Sequence, residues 1–464
     1  MKLKVLLMMV VLASTGLRAQ QDEETLGKLF THSLASGQAY DDLGYLCKHL
    51  GSRLSGSHGL HAAIFWAGES LREAGADTVY LQPVMVPHWE RGKEEIVRVI
   101  SARYGSVELS STSIGNTLGT GPNGLNAPVV EVNSREQLET LGKEGRLKSH
   151  IVFLNVPMSQ THLNTGAAYG QSAWIRSQGP ALVESYGAVG LLIRSLGIGI
   201  DDYPHTGSVS SRSGVPAIPA LAISTYAAEQ LHRMISEDPG LSVYLENHCQ
   251  MHPDALSHNL IAEIRGDVQP DKIMLIGAHL DAWDLGEGAH DDGAGVVQVM
   301  DVLRMFRQLG IALRHSLRVV LFTNEENGMR GAYEYASMVR ESGEEHVFAL
   351  ESDSGGFAPR GFSVQATPEV LAQLRDWLPL FRPWLLHFVE VGSGGVDIGP
   401  LGPFGIPLIG LDVEDHRYFN YHHAASDTYD KVDRRELQMG VAAIASLTYL
   451  IDRYGLPTEP MMSK

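Results

Sequence analysis

The sequence predicts an α/β fold, a mostly parallel or mixed sheet with helices on both faces, into which a smaller β-rich unit is inserted. Three observations predict it. From about residue 255 onward, short apolar runs alternate with segments of helical periodicity. Those runs are almost continuously apolar, as in Leu317–Thr323, which marks strands buried on both faces. Between residues 110 and 250 the alternation gives way to brief β-branched runs separated by Gly, Ser and Pro. A chain of 464 residues also exceeds one ordinary core, so two domains are expected.

Residues 1–19 read as a secretory signal. Lys2 and Lys4 precede the apolar run Val5–Ala13, which is too short to anchor in a bilayer, and cleavage is expected after Ala19. An exported protein, periplasmic or secreted, follows. Residues 20–109 form the N-terminal part of the larger domain. A helical entry segment leads to a turn at Arg53-Leu54-Ser55-Gly56-Ser57. In the next helix Leu60, Ile64, Ala67, Leu71 and Ala74 recur at steps of four and three until Gly75 ends it, and Thr78–Met85 is a strand.

Residues 110–250 carry strands at Pro128–Val132, Ile151–Val156, Gly190–Ile193 and Pro219–Ile223. This stretch resembles a protease-associated domain in Gly145-Arg146-Leu147-Lys148-Ser149-His150-Ile151-Val152, in Gly187-Ala188-Val189-Gly190 and in Ile218-Pro219-Ala220. Residues 251–464 return to the larger domain. Strands are expected at Ile273–Ile276, Leu317–Thr323 and Val347–Leu350, with helices at Gly295–Met305 and Ala332–Val339. Pro368–Leu378, Ile406–Leu411 and Leu437–Ile451 complete the alternation.

The net charge is −18, and removing a leader that holds Lys2, Lys4 and Arg18 makes it more negative. An acidic surface argues against nucleic acid and anionic membranes as partners. Cys47 and Cys249 are the only cysteines; they can form one disulfide or stand as two thiols, and neither sits in a Cys-x-x-Cys spacing.

In open α/β sheets the ligand site lies beyond the carboxyl ends of the strands. Polar motifs collect at those ends here. His279 follows a strand, and an imidazole is a good zinc ligand; Asp281 is placed to accept the other ring N–H and fix the tautomer. Asp291 and Asp292 stand between Gly288 and Gly293, where one acid can bridge two metals and the other cap the following helix. Glu325-Glu326 follows the Leu317–Thr323 strand; one can ligate while the other stays free as a base. Asp353 follows Val347–Leu350, and His422-His423 precedes Ser426-Asp427-Thr428. Two imidazoles and three carboxylates, one of them shared, suit a pair of zinc ions, which is hydrolytic machinery.

In this order the motifs resemble the M28 family of di-zinc exopeptidases, from about residue 255 to the C-terminus. The resemblance implies that His279 and Asp353 hold one zinc, Glu326 and His423 the other, and that Asp291 bridges them. It implies Glu325 as general acid/base; Asp281, expected beside His279, is counted with Glu325 in the catalytic apparatus. The histidine of the family pattern precedes an Asp-Thr pair as His423 precedes Asp427-Thr428, and the peptide bond after the bridging aspartate is often cis. A nearer likeness to carboxypeptidases of this family extends upstream in Arg53-Leu54-Ser55-Gly56-Ser57, Pro87-His88-Trp89-Glu90-Arg91-Gly92, Pro204-His205-Thr206-Gly207 and Glu351-Ser352-Asp353-Ser354. It implies hydrolysis of dipeptides and short peptides by a homodimer with two zinc ions per subunit. Tyr418 or Tyr421 is a candidate donor to the oxyanion, and Asp397 a candidate partner for a free α-amino group. Amino- and carboxypeptidase action both fit the ligand set, and a receptor-like module that binds without catalysis is the alternative of another class.

Overall fold

The computed structural model describes residues 20–210 and 218–457; the expected signal segment lies outside them. Two eight-stranded sheets organise the chain. In the first, the neighbours run Thr78–Glu90, Gln250–Ile264, His315–Phe322, Gln269–His279, Glu345–Glu351, Leu408–Val413, Pro359–Gln365 and Phe388–Val391. The middle of this order, from His315–Phe322 to Leu408–Val413, is parallel. Antiparallel pairs flank it, through Gln250–Ile264 on one side and Pro359–Gln365 on the other. The sheet is therefore mixed, with a parallel centre.

The almost unbroken apolar runs reflect burial on both faces. Met274, Ile276, Val319, Leu321, Phe348 and Leu350 pack on one side, with Val296, Met300, Leu303, Val441, Ile444 and Leu447 from the helices Ala294–Leu309 and Arg434–Tyr454. The intervening Leu275, Val320, Phe322 and Ala349 face the other way, onto Tyr335, Ala336 and Val339 of the helix Arg330–Ser342. Strand side chains alternate in direction, so a strand covered on both sides must be apolar at successive positions. Burying each large aliphatic side chain contributes about 1.5–3 kcal/mol.

The helical entry segment is realised as helix over residues 20–36, at Ala39–Tyr45 and at Leu46–Leu50, ending at Gly51, whose φ is +68°. The next helix spans His58–Glu73; the Ser57 hydroxyl caps it by accepting the Leu60 N–H.

The second sheet orders Gly105–Leu109, Ile96–Ser101, Ser242–Glu246, Leu125–Val132, Ile151–Leu154, Gly190–Arg194, Ala220–Ile223 and Ser111–Ser113. Its strands all come from residues 96–246, so the expected break at residue 110 falls inside this sheet. The missed hairpin Ile96–Ser101 with Gly105–Leu109 is half-exposed, and only Val97, Val99 and Leu109 of its apolar residues are buried.

Cys47 and Cys249 are both buried and both free, so of the two arrangements open to them the structure has the thiols. Burial pushes Cys47 up to about 12 and Cys249 up to about 11. Since the thiolate is the nucleophile, fewer than about one Cys47 in a thousand is reactive at pH 8. Iodoacetamide at pH 8 is expected to leave both cysteines of the native protein unmodified over an hour and to label both in denaturant. Mass spectrometry of the intact protein checks this, and rapid native labelling would contradict it.

Candidate metal centre

The parallel centre of the first sheet ends on one side in a cluster of imidazoles and carboxylates. His279 is the last residue of Gln269–His279, and Glu325 and Glu326 lie just past Phe322. Asp353 follows Glu351, and His422 and His423 follow Leu408–Val413 through the short helical segment Asp415–Asn420. Asp291 sits in the turn Ala289–Gly293 that leads into Ala294–Leu309, and the Asp291–Asp292 peptide is cis.

The side chains meet around Asp291. Its Oδ1 lies 3.3 Å from His279 Nε2, and its Oδ2 lies 3.3 Å from His423 Nε2. His279 Nε2 is also 3.5 Å from Asp353 Oδ1, and His423 Nε2 is 2.9 Å from Glu326 Oε2. Asp291 thus touches two clusters, His279 with Asp353 and His423 with Glu326. His422 stacks on His423 with ring centres 3.6 Å apart, and its Nε2 is 3.8 Å from Asp291. His423 contacts both Asp291 and Glu326, and takes a positive φ of 62° to do so. That conformation is uncommon outside glycine and is found at sites held by their surroundings.

The supports are equally local. Asp427 accepts the N–H groups of His290 (2.8 Å) and Asp291 (3.1 Å). Asp292 accepts from His279 N–H (3.2 Å) and from Gly295 N–H (3.1 Å) at the start of the helix Ala294–Leu309, and it brings a ligand atom within 4.8 Å of those of His279 and Asp353. Gly288 has φ +57°, and a Cβ there would lie 2.4 Å from Ala282. Arg53 is fully buried and donates to the carbonyls of Leu280 (2.9 Å), Glu287 (2.8 Å) and Gly288 (3.0 Å), tying the loop that carries Asp291 to the strand end that carries His279.

Asp281 is where the expectation needs correcting. Its carboxylate does not hold the His279 ring; its backbone carbonyl is the partner of His279 Nδ1, at 2.9 Å. The carboxylate instead accepts the N–H groups of Glu325 (3.1 Å) and Glu326 (3.3 Å). The side chain turns toward the loop after the neighbouring parallel strand, so Asp281 positions Glu325 and Glu326 through their N–H groups. Asp281→Asn keeps the shape but leaves one carboxamide oxygen where two carboxylate oxygens act. Such supporting groups are typically worth about 10- to 100-fold in metal affinity or activity. That weakening of zinc binding, with zinc still able to saturate the site, is expected on titration against a chelator; unchanged affinity would contradict it.

The electrostatics favour cations. Burial pushes Glu325 and Glu351 up to about 8, with Asp353 adding like-charge repulsion to both. Burial likewise raises Glu326 and Asp353, and Asp291 adds to both. Burial lowers His279, but its contacts with Asp291 and Asp353 outweigh this and hold it well above the usual imidazole value. The field that stabilises a proton there stabilises any cation there. Burial and the neighbouring His422 leave His423 neutral, the form that ligates metals. Asp291 Oδ2, both Glu326 carboxylate oxygens and Asp353 Oδ1 are buried without hydrogen-bond partners among the described residues. Buried polar atoms are rarely left so. His279, Asp291 and Glu326 each bring a ligand atom within 4.8 Å of the others, and so do Asp291, His422 and His423. The donor set is imidazole and carboxylate, which fits zinc.

A cleft of about 560 Å³ opens over the cluster, lined by Asp291, Glu325, Glu326, Asp353, Tyr418 and His423, with Tyr169 and Arg176 from the second-sheet segment. Tyr418 lines the cleft; Tyr421 does not, and stacks on His290 instead. Asp397 is buried with both oxygens unpartnered among the described residues, while its N–H donates to Glu351. Sequence reasoning missed Arg53 as a clamp and Arg176 altogether. Arg53 lies in a motif that reads as a turn and carries the family likeness, neither of which marks it as a clamp; no local signal marks Arg176.

This fold and this cluster define a metallopeptidase, and the profile of peptidase family M28 matches residues 259–448. The chain belongs to that family: it is 32% identical to carboxypeptidase Q from Homo sapiens, over 91% of this chain and 87% of the relative. Among solved structures it is similar to a peptidase M28 precursor from Shewanella amazonensis, with 32% identity, a TM-score of 0.89 and coverage of 95% of this chain and 99% of that one. A zinc aminopeptidase from Bacillus subtilis shares the fold, with a TM-score of 0.63 at 17% identity over 89% of this chain and 94% of that one.

Proposed function

We propose that this protein is an exported di-zinc exopeptidase, similar to carboxypeptidase Q, that hydrolyses dipeptides and short peptides as a homodimer. The observation that carries the reading is Asp291, whose two oxygens face His279 and His423 at 3.3 Å each, with Asp353 and Glu326 completing the two clusters. His279 and Asp353 would hold one zinc and Glu326 and His423 the second, with Asp291 the carboxylate within reach of both. When bound, such a metal pair supplies Lewis acidity toward the peptide carbonyl and makes water a better nucleophile.

The chain's own residues do the rest. Glu325 lines the cleft beside the clusters without contacting His279 or His423, so its carboxylate is free to take the proton of the attacking water and pass it to the leaving amine. Asp281 fixes Glu325 through its N–H. Tyr418 faces the same cleft and is the residue placed to donate to the carbonyl oxygen as it gains charge. The identity to carboxypeptidase Q across nearly the whole chain supports the carboxypeptidase reading over aminopeptidase action and over a non-catalytic receptor-like role. A panel of dipeptides assayed on protein of measured zinc content tests this. Hydrolysis that scales with zinc occupancy is expected; no hydrolysis at full occupancy would refute it.

A further inference from the structure

The unit built on the second sheet holds the backbone of the His422-His423 pair. Both carbonyls of the pair are taken by consecutive residues of that unit. His205 Nδ1 donates to His422 O at 2.7 Å, and Thr206 N–H donates to His423 O at 2.9 Å. His205 also forms an antiparallel bridge with Ala424. These contacts surround the residue whose φ is +62°, a conformation that persists only where its surroundings impose it. They come from the stretch Pro204-His205-Thr206-Gly207, which the sequence marks only by its family likeness.

The stretch is itself fixed. His205 N–H donates to Ser195 Oγ at 2.8 Å, and that hydroxyl donates to the Ile223 carbonyl at 2.7 Å. His205 is thereby tied to the ends of the adjacent strands Gly190–Arg194 and Ala220–Ile223. Thr206 Oγ1 donates to the carbonyl of Ser113 at 2.7 Å, on the edge strand Ser111–Ser113. Gly207 has φ +115°, and a Cβ there would lie 2.6 Å from His423 Nδ1, so this close approach requires glycine. His205 is 2% exposed, and burial holds its pKa below the usual imidazole value, so the ring is neutral. A carbonyl can only accept, which puts the single ring proton on Nδ1. Nε2 has no partner among the described residues, so the bond to His422 is the hydrogen bond this buried ring makes. The other histidine of the centre is supported differently: His279 ends a strand of the first sheet, and its Nδ1 meets the carbonyl of Asp281.

We propose that His205 is a positioning residue for the second zinc. Its Nδ1–H, with Thr206 N–H, holds the His422-His423 backbone so that His423 Nε2 faces Glu326 and Asp291, and the second-sheet unit thereby sets the affinity of that ion alone. This rests on the di-zinc reading above and adds which part of the chain governs which ion.

The test titrates zinc into metal-free wild type, His205→Leu and His205→Asn by calorimetry against a competing chelator. Anomalous diffraction at one zinc per chain shows which ion binds first. Leucine fills the space without a donor, whereas the asparagine amide nitrogen falls where Nδ1 stood. Supporting groups of this kind are typically worth about 10- to 100-fold in metal affinity. His205→Leu is expected to lose that factor at the ion beside His423 and Glu326 and to keep wild-type affinity at the ion beside His279 and Asp353. His205→Asn is expected to recover most of the loss. Coupling between two sites is reciprocal. In wild type, hydrogen exchange at Thr206 N–H is therefore expected to slow by the same factor when the ion beside His423 binds, and not when the other does. Equal affinities in wild type and His205→Leu, or equal losses at both ions, overturn the assignment, as does exchange at Thr206 that ignores the ion beside His423. If wild type takes up fewer than two zinc ions, the di-zinc reading fails and the assignment with it.

Discussion

Glu325→Gln is expected to keep both zinc ions and to lose about 10²- to 10⁴-fold in kcat, the usual worth of a positioned general base. The carboxamide preserves the size of the side chain, and the backbone N–H that Asp281 accepts is untouched. What it removes is the ability to take a proton. KM is expected to change little, because Glu325 makes no contact that would hold the substrate before the proton moves. Zinc content by atomic emission and steady-state rates on a dipeptide check this together. Activity near wild type at full zinc occupancy would reject Glu325 as the base.

Asp291→Ala is expected to have the second large effect, on the metals themselves. Asp291 is the one carboxylate of the centre that contacts both histidines. Without it each cluster keeps one histidine and one carboxylate, too few to close a tight site. Zinc stoichiometry is expected to fall from two per chain to one or none, and peptidase activity to become undetectable. The thermal response separates this from misfolding. Saturating zinc at about 100 times its dissociation constant stabilises the wild type by about 2.7 kcal/mol through binding alone. The variant is expected to melt near the metal-free wild type and to gain little from added zinc. A variant that melts far below the metal-free wild type would show a structural role instead.

How much of this was legible in the sequence follows from the range of the forces involved. The parallel strands ending at His279, Phe322 and Glu351 were readable because burial on both faces leaves an unbroken apolar run. Once those strands are placed, the rule for carboxyl ends gathers their trailing residues at one edge of the sheet, and the roles within that group come from the family resemblance. The strands Ile96–Ser101, Gly105–Leu109 and Phe388–Val391 were not foreseen, because they are short and partly exposed, so their pairing is decided by distant partners and not by local pattern. Strand Gln250–Ile264 begins in the polar, largely exposed run Gln250–Ser257 and owes its length to its ladder with Thr78–Glu90. Asp281 shows the limit at the site: proximity to His279 was visible, whereas the direction of its carboxylate depends on a neighbouring strand. Arg53 and Arg176 act on partners more than 200 positions away, and no spacing encodes that.

In the proposed site Asp291 would lie between two adjacent metal ions. Anomalous diffraction above and below the zinc edge, on crystals of zinc-loaded protein, tests it most directly. Two peaks about 3.5–4 Å apart are expected, as in two-metal hydrolytic sites, one beside His279 and Asp353, the other beside Glu326 and His423, with the Asp291 carboxylate between them. A single peak, or two peaks with Asp291 bound to neither, would contradict it.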